Sequence, residues 1–85
     1  MDPWIVYMLR CSDGSLYTGI TKNLEQRLAK HNDGTGAKYT RSRLPVELVW
    51  HEVAETESDA RKREAEIKTW KRNEKFAFLK KKKGE

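Results

Sequence analysis

Residues 4–20 constrain this chain more than any other stretch, because two β-prone runs flank Asp13-Gly14, a strong hairpin signal. Each run carries one tyrosine, Tyr7 and Tyr17, and Gly19 follows Tyr17 by two positions. A two-residue turn at Asp13-Gly14 pairs Tyr7 with Ile20 and Arg10 with Tyr17. Paired residues share a face and faces alternate along a strand, so the two rings would then lie on opposite sides. A three-residue loop, Ser12-Asp13-Gly14, with Gly14 left-handed, pairs Cys11 with Ser15. Leu9 then stands opposite Tyr17, and Tyr7 opposite Gly19. Both tyrosines share a face, roughly 7 Å apart by strand rise. We expect the odd-length loop, with Gly19 leaving room beside Tyr7 for a phosphate or a neighbouring ring. Taken alone, the stretch reads better as a core hairpin with two packing aromatics, because tyrosines are common in strands.

Asn23 is a good N-cap for a helix from Leu24 to about Asn32, with Gly34 as its stop. Leu24, Leu28, Arg27 and His31 fall on one face of it. An arginine beside an apolar stripe is either snorkelling at the core edge or held for a purpose. Residues 34–36 read as a flexible link. Residues 37–43 then interleave Lys38, Arg41 and Arg43 with hydroxyls and Tyr39, a pattern suited to phosphate contacts with one stacking platform, or to a solvated loop. Pro45 opens a third strand from Val46 to Val53, apolar on both faces and so covered on both sides, at least in part. His51 reads as a sheet-face residue. Thr56 and Asp59 open a helix through Ala60 to about Arg72. Glu64 lies on its inner face and Glu66 does not. An inward carboxylate needs a cation, either a side chain such as Arg27 or a metal ion. Asn73 caps a last helix carrying Phe76 and Leu79.

The expected fold is α+β: a three-stranded antiparallel sheet with the first strand central, flanked by helices. One domain would span residues 4–79, followed by a basic tail, 80–85. The chain has 85 residues, too few for a second core. Cys11 is the only cysteine, which excludes an intrachain disulfide and a multi-cysteine zinc site. No apolar run is long enough to span a membrane, and Met1-Asp2-Pro3 leads into a strand, which gives a cytoplasmic expectation. Eighteen Lys and Arg against 13 Asp and Glu leave a net charge of +5, favouring a polyanion, nucleic acid first.

Tyr7, Tyr17-Thr18-Gly19, Asn23-Leu24 leading to Arg27, Lys38-Tyr39-Thr40, and residues 64–68 occur in an order that resembles the GIY-YIG endonuclease superfamily, its small stand-alone bacterial members above all. The Gly-Ile before the first tyrosine is Ile5-Val6 here, the Ile of the second signature is Thr18, and a lysine that some members carry next is Ile20. The resemblance implies catalytic roles for Tyr7, Tyr17, Arg27, His31 and Glu64, with Glu64 holding one Mg²⁺ or Mn²⁺ ion. Lys22, Lys38, Tyr39, Arg41, Arg43, Lys68, Lys71 and Arg72 would contact nucleic acid, DNA ahead of RNA. The implied activity is hydrolysis of phosphodiester bonds in DNA, branched or structured forms included. The competing reading is a nucleic-acid-binding module of the same fold without turnover.

Overall fold

The computed structural model of the protein describes residues 3–83. Its elements are β1 (Trp4–Arg10), β2 (Leu16–Thr21), α1 (Leu24–Asn32), α2 (Lys38–Arg41), β3 (Glu47–Ala54), α3 (Glu57–Lys68) and α4 (Arg72–Lys83). The sheet order is β2-β1-β3, antiparallel throughout, so the first strand is central as expected. Residues 1, 2, 84 and 85, which include Met1-Asp2 and the end of the expected basic tail, lie outside the described residues.

Alternation along β1 divides the protein into two layers of packing. Val6 and Met8 point to Ala60 and Ile67 of α3, with Trp50, Trp70, Phe78 and Leu79 around them. Tyr7 and Leu9 point the other way, to Leu24 and Leu28 of α1 and to Leu44 and Leu48. Each fully buried aliphatic side chain here contributes about 1.5–3 kcal/mol. Exposed ion pairs such as Arg61–Glu57 contribute ~1 kcal/mol or less, so β1 and its two coverings hold the fold together.

The hairpin has the odd-length loop. Gly14, at φ +84°, donates its amide to the Cys11 carbonyl, and the Cys11 amide donates to the Ser15 carbonyl, both at 2.9 Å. Leu9 therefore pairs with Tyr17, and Tyr7 with Gly19. The Asp13 carboxylate accepts the Ser15 amide at 3.0 Å and Arg43 Nε at 3.1 Å, tying the loop to the segment before β3.

Three boundaries differ from the sequence reading. First, β3 starts at Glu47, and it carries a bulge: Met8 pairs with Trp50 while Leu9 pairs with Leu48. Val49 is the extra residue, so Leu48 joins the tyrosine layer while Val49 and Trp50 both join the other. Leu48, Val49 and Trp50 are covered, as is Ala54 in part, whereas Glu47, His51, Glu52 and Val53 are exposed. Second, Thr56 caps α3 as expected, its side chain accepting the Asp59 amide, but the helix ends at Lys68, not near Arg72. Third, α4 begins at Arg72, and Asn73 does not cap it. Glu74 does, reaching back to accept the Lys71 amide at 2.8 Å. The helix continues through the lysine run to Lys83.

The expected flexible link at 34–36 is ordered by Thr35, whose amide donates to the Lys30 carbonyl and whose hydroxyl and amide bond Asp33. Among the described residues no helix is long and apolar enough to cross a membrane.

Candidate active site

The tyrosine face of the sheet is covered by α1 and α2, and the side chains between them form a polar cluster. Tyr7 is central and only 1% exposed. Its hydroxyl lies 3.0 Å from His31 Nε2 and 3.4 Å from Arg27 Nε. His31, fully buried, meets the Thr40 hydroxyl with Nδ1 at 2.8 Å. Tyr17 completes the cluster, its ring centroid 6.4 Å from that of Tyr7 and 5.3 Å from His31. Tyr39 stacks on Tyr17 at 6.0 Å, and the Arg43 guanidinium lies 4.0 Å from the Tyr39 ring.

The local sequence explains these positions. The three-residue hairpin loop puts both tyrosines on one face. Helical spacing puts Arg27 and His31 one turn apart, and Asn23 fixes the start of α1 by accepting the Gln26 amide at 3.0 Å. Two glycines make room. A Cβ at Gly19 would stand 2.6 Å from the Tyr7 hydroxyl oxygen, and one at Gly36 would stand 2.6 Å from His31 Nδ1. The space beside Gly19 is thus filled by Tyr7 itself and the Tyr17 ring.

Burial dominates the electrostatics. It pushes the Tyr7 hydroxyl above its ordinary range, with the Arg27 hydrogen bond opposing, so Tyr7 stays protonated at neutral pH. Arg27 is held charged, first by its bond to Tyr7 and also by the nearby Tyr17 hydroxyl. Burial and then Arg27 lower the His31 pKa, keeping the ring neutral. Below its ordinary value of 6.5, unfolded His31 takes up a proton that the folded ring refuses. This contribution to stability is therefore full above that value and is lost as pH falls toward the folded pKa. We expect the urea midpoint to drop between about pH 7 and pH 5, and to drop less in His31→Gln. Equal pH dependence in the two proteins would contradict a buried neutral His31.

Glu64 is not paired with Arg27. Its carboxylate, on a side chain 20% exposed, lies 3.3 Å from Lys68 Nζ, one helical turn on. It is close enough to the cluster to raise the Tyr7 pKa. Glu66 points away and pairs with Arg63. Among the described residues no three His, Cys, Asp or Glu side chains form a metal-binding group. A lone hard carboxylate does not fit zinc, but it fits an ion such as Mg²⁺, which usually keeps several waters and takes only one or two carboxylates.

The expected nucleic-acid contacts are dispersed. Lys68 lines a groove of about 340 Å³ with Tyr17, Thr18, Tyr39 and Lys75. Arg43 joins the cluster through Tyr39. Lys38 and Arg41 are exposed on α2. Lys22 lies over the Trp4 ring, and Arg72 over Phe76 at the start of α4, beside exposed Lys71. Two residues escaped the sequence reading. Lys75, which no sequence pattern singles out, is half-buried in the groove and has no ion pair among the described residues. Thr40 stood inside a recognised motif, yet only the folded chain brings it to His31.

Two tyrosines and an arginine thus meet on one face of the β1-β2 hairpin of an α+β domain, with a glutamate of α3 close enough to act on them. The GIY-YIG catalytic domain matches residues 3–77, and the chain belongs to the GIY-YIG nuclease family. It is 52% identical to a UPF0213 protein of Staphylococcus saprophyticus over 79 residues, 93% of this chain and 96% of that one. A UPF0213 protein of Staphylococcus aureus is 55% identical over 80 residues, 94% and 98% of the two chains. The solution NMR structure of a protein from E. faecalis is similar with a TM-score of 0.67 at 44% identity, covering 100% of this chain and 91% of that one. That of a UPF0213 protein from Bacillus halodurans has a TM-score of 0.59 at 40% identity, covering 91% and 82%.

Proposed function

We propose that this protein is a divalent-metal-dependent endonuclease that hydrolyses phosphodiester bonds in DNA, branched or structured forms included, within the cytoplasm. The observation that carries this reading is Arg27. Its guanidinium is half-buried and bonded to a tyrosine hydroxyl, and no carboxylate lies within ion-pair distance among the described residues. A part-desolvated cation without an anion is costly unless one arrives with the ligand. Its fork matches phosphate as it does a carboxylate, and phosphate is the anion that nucleic acid presents.

In this reading Arg27 binds the non-bridging oxygens, where charge develops during attack. Tyr7 fixes the Arg27 side chain through Nε and is itself fixed by His31. His31 is sealed beneath the tyrosines, so contact with the attacking water falls to Tyr17, which borders the groove and orients that water. Glu64 would hold the one Mg²⁺ or Mn²⁺ ion, which when bound supplies Lewis-acid stabilisation to the departing oxygen. Lys68 and Lys75, with Tyr39, would hold the flanking strand, and Lys22, Lys38, Arg41, Arg43, Lys71 and Arg72 would meet phosphates further out.

One observation favours a second reading. Lys68 already neutralises Glu64, which suits a phosphate-binding module without turnover. Both readings require salt-sensitive binding. Affinity for DNA is expected to fall roughly tenfold or more between about 50 and 200 mM salt, as counterions compete for the phosphates. A flat titration, or no binding at low salt, would remove both. A nicking assay with and without divalent metal then separates them.

A further inference from the structure

The buried chain of hydrogen bonds beneath the tyrosines has only one direction in which every member is satisfied. The Thr40 hydroxyl carries a single proton and lies 3.0 Å from the Ala37 carbonyl, which can only accept. Its proton goes there, so the same oxygen accepts from His31 Nδ1 at 2.8 Å. Nδ1 therefore carries the proton of the neutral ring, and Nε2 is bare. Nε2 accepts the Tyr7 hydroxyl proton at 3.0 Å, and the Tyr7 oxygen is left to accept Arg27 Nε–H at 3.4 Å. In the reverse direction Thr40 would donate to Nδ1 and give up its bond to the Ala37 carbonyl, which would keep only the Arg41 amide at 3.1 Å. Nε2–H would donate to Tyr7, whose own proton would face a guanidinium with no acceptor. Gly36 closes the arrangement, because its missing Cβ lets the link pack directly on the Nδ1 edge of the ring.

We propose that Thr40 is a positioning residue: anchored on Ala37, it holds His31 in the Nδ1–H form, so that Tyr7 turns its proton to His31 and its lone pairs to Arg27. The consequence for function, which rests on the endonuclease reading, is that the guanidinium fork keeps one orientation toward phosphate.

The test uses the full chain and two variants. Nitrogen-15 spectra of the histidine side chain at neutral pH should show Nδ1 protonated and Nε2 bare for His31 in the wild type. Thr40→Val keeps the shape but removes both hydrogen-bonding capacities, and should give the Nε2–H form or an exchanging mixture. Thr40→Ser should restore the wild-type pattern. In nicking assays Thr40→Val should lower kcat about 10- to 100-fold with KM nearly unchanged, and Thr40→Ser should recover it. A wild-type His31 protonated on Nε2 would overturn the proposal, as would a Thr40→Val protein that keeps both the wild-type tautomer and the wild-type kcat. If the valine variant does not fold, the wild-type and serine spectra still decide. Failure of the wild type to nick any nucleic acid would remove the endonuclease reading alone, because the spectra report Thr40 without cleavage.

Discussion

Gly19→Ala is expected to lose both stability and activity. The added methyl would stand 2.6 Å from the Tyr7 hydroxyl oxygen, 2.8 Å from its Cζ and 3.2 Å from Tyr17 Cε2. These are rigid rings, not flexible side-chain ends, and Tyr7 has His31 behind it at 3.0 Å. Either β2 must move from β1 or Tyr7 must leave its site. Overpacking of this kind costs about 1–3 kcal/mol. Loss of the Tyr7–His31 hydrogen bond adds ~1 kcal/mol, more if one partner stays buried and unpaired. Urea denaturation should therefore show a clear fall in midpoint. A midpoint equal to wild type would mean that Tyr7 does not pack on Gly19 and that the two tyrosines are not held together.

Arg27→Ala separates activity from stability. Arg27 has no ion-pair partner among the described residues, and its hydrogen bond to Tyr7 is long, so the folded state should lose about 1 kcal/mol or less. Cleavage should fall roughly 10²- to 10³-fold in kcat, the usual effect of removing one donor aimed at developing charge. Arg27→Lys should not restore it, because an ammonium cannot bond Tyr7 and present a planar fork at once. Single-turnover nicking beside denaturation curves checks both halves. Full activity in the lysine variant would show that charge alone suffices.

Much of the fold could be read from residues whose constraints are local. The hairpin register followed from parity once both tyrosines were placed on one face, and the caps at Asn23 and Thr56 followed from side-chain chemistry. The bulge at Val49 could not be read, since Leu48, Val49 and Trp50 are apolar in a row and either phase fits the pattern. The end of α3 was equally silent: neither glycine nor proline marks it. The turn is made by Thr69, whose hydroxyl bonds the Glu66 carbonyl, and by Trp70 packing on Phe78. In the candidate site, helical spacing placed Arg27 and His31 on the face that meets Tyr7. It also offers Lys68, four residues after Glu64, as the nearer cation, and in the fold Lys68 rather than Arg27 pairs with Glu64. The pairing of Thr40 with His31 depends on how the 34–36 link folds back, a tertiary fact with no periodic trace.

The most direct test of the central claim is a nicking assay on branched, single-stranded and duplex DNA, with Mg²⁺ or Mn²⁺ against chelator, run on wild type, Glu64→Gln and Glu66→Gln. Cleavage should require the divalent ion, be lost in Glu64→Gln, and survive in Glu66→Gln, because the Glu66 carboxylate faces Arg63 rather than the tyrosines. Cleavage that persists in chelator, cleavage undiminished in Glu64→Gln, or no wild-type cleavage of any substrate would contradict the claim.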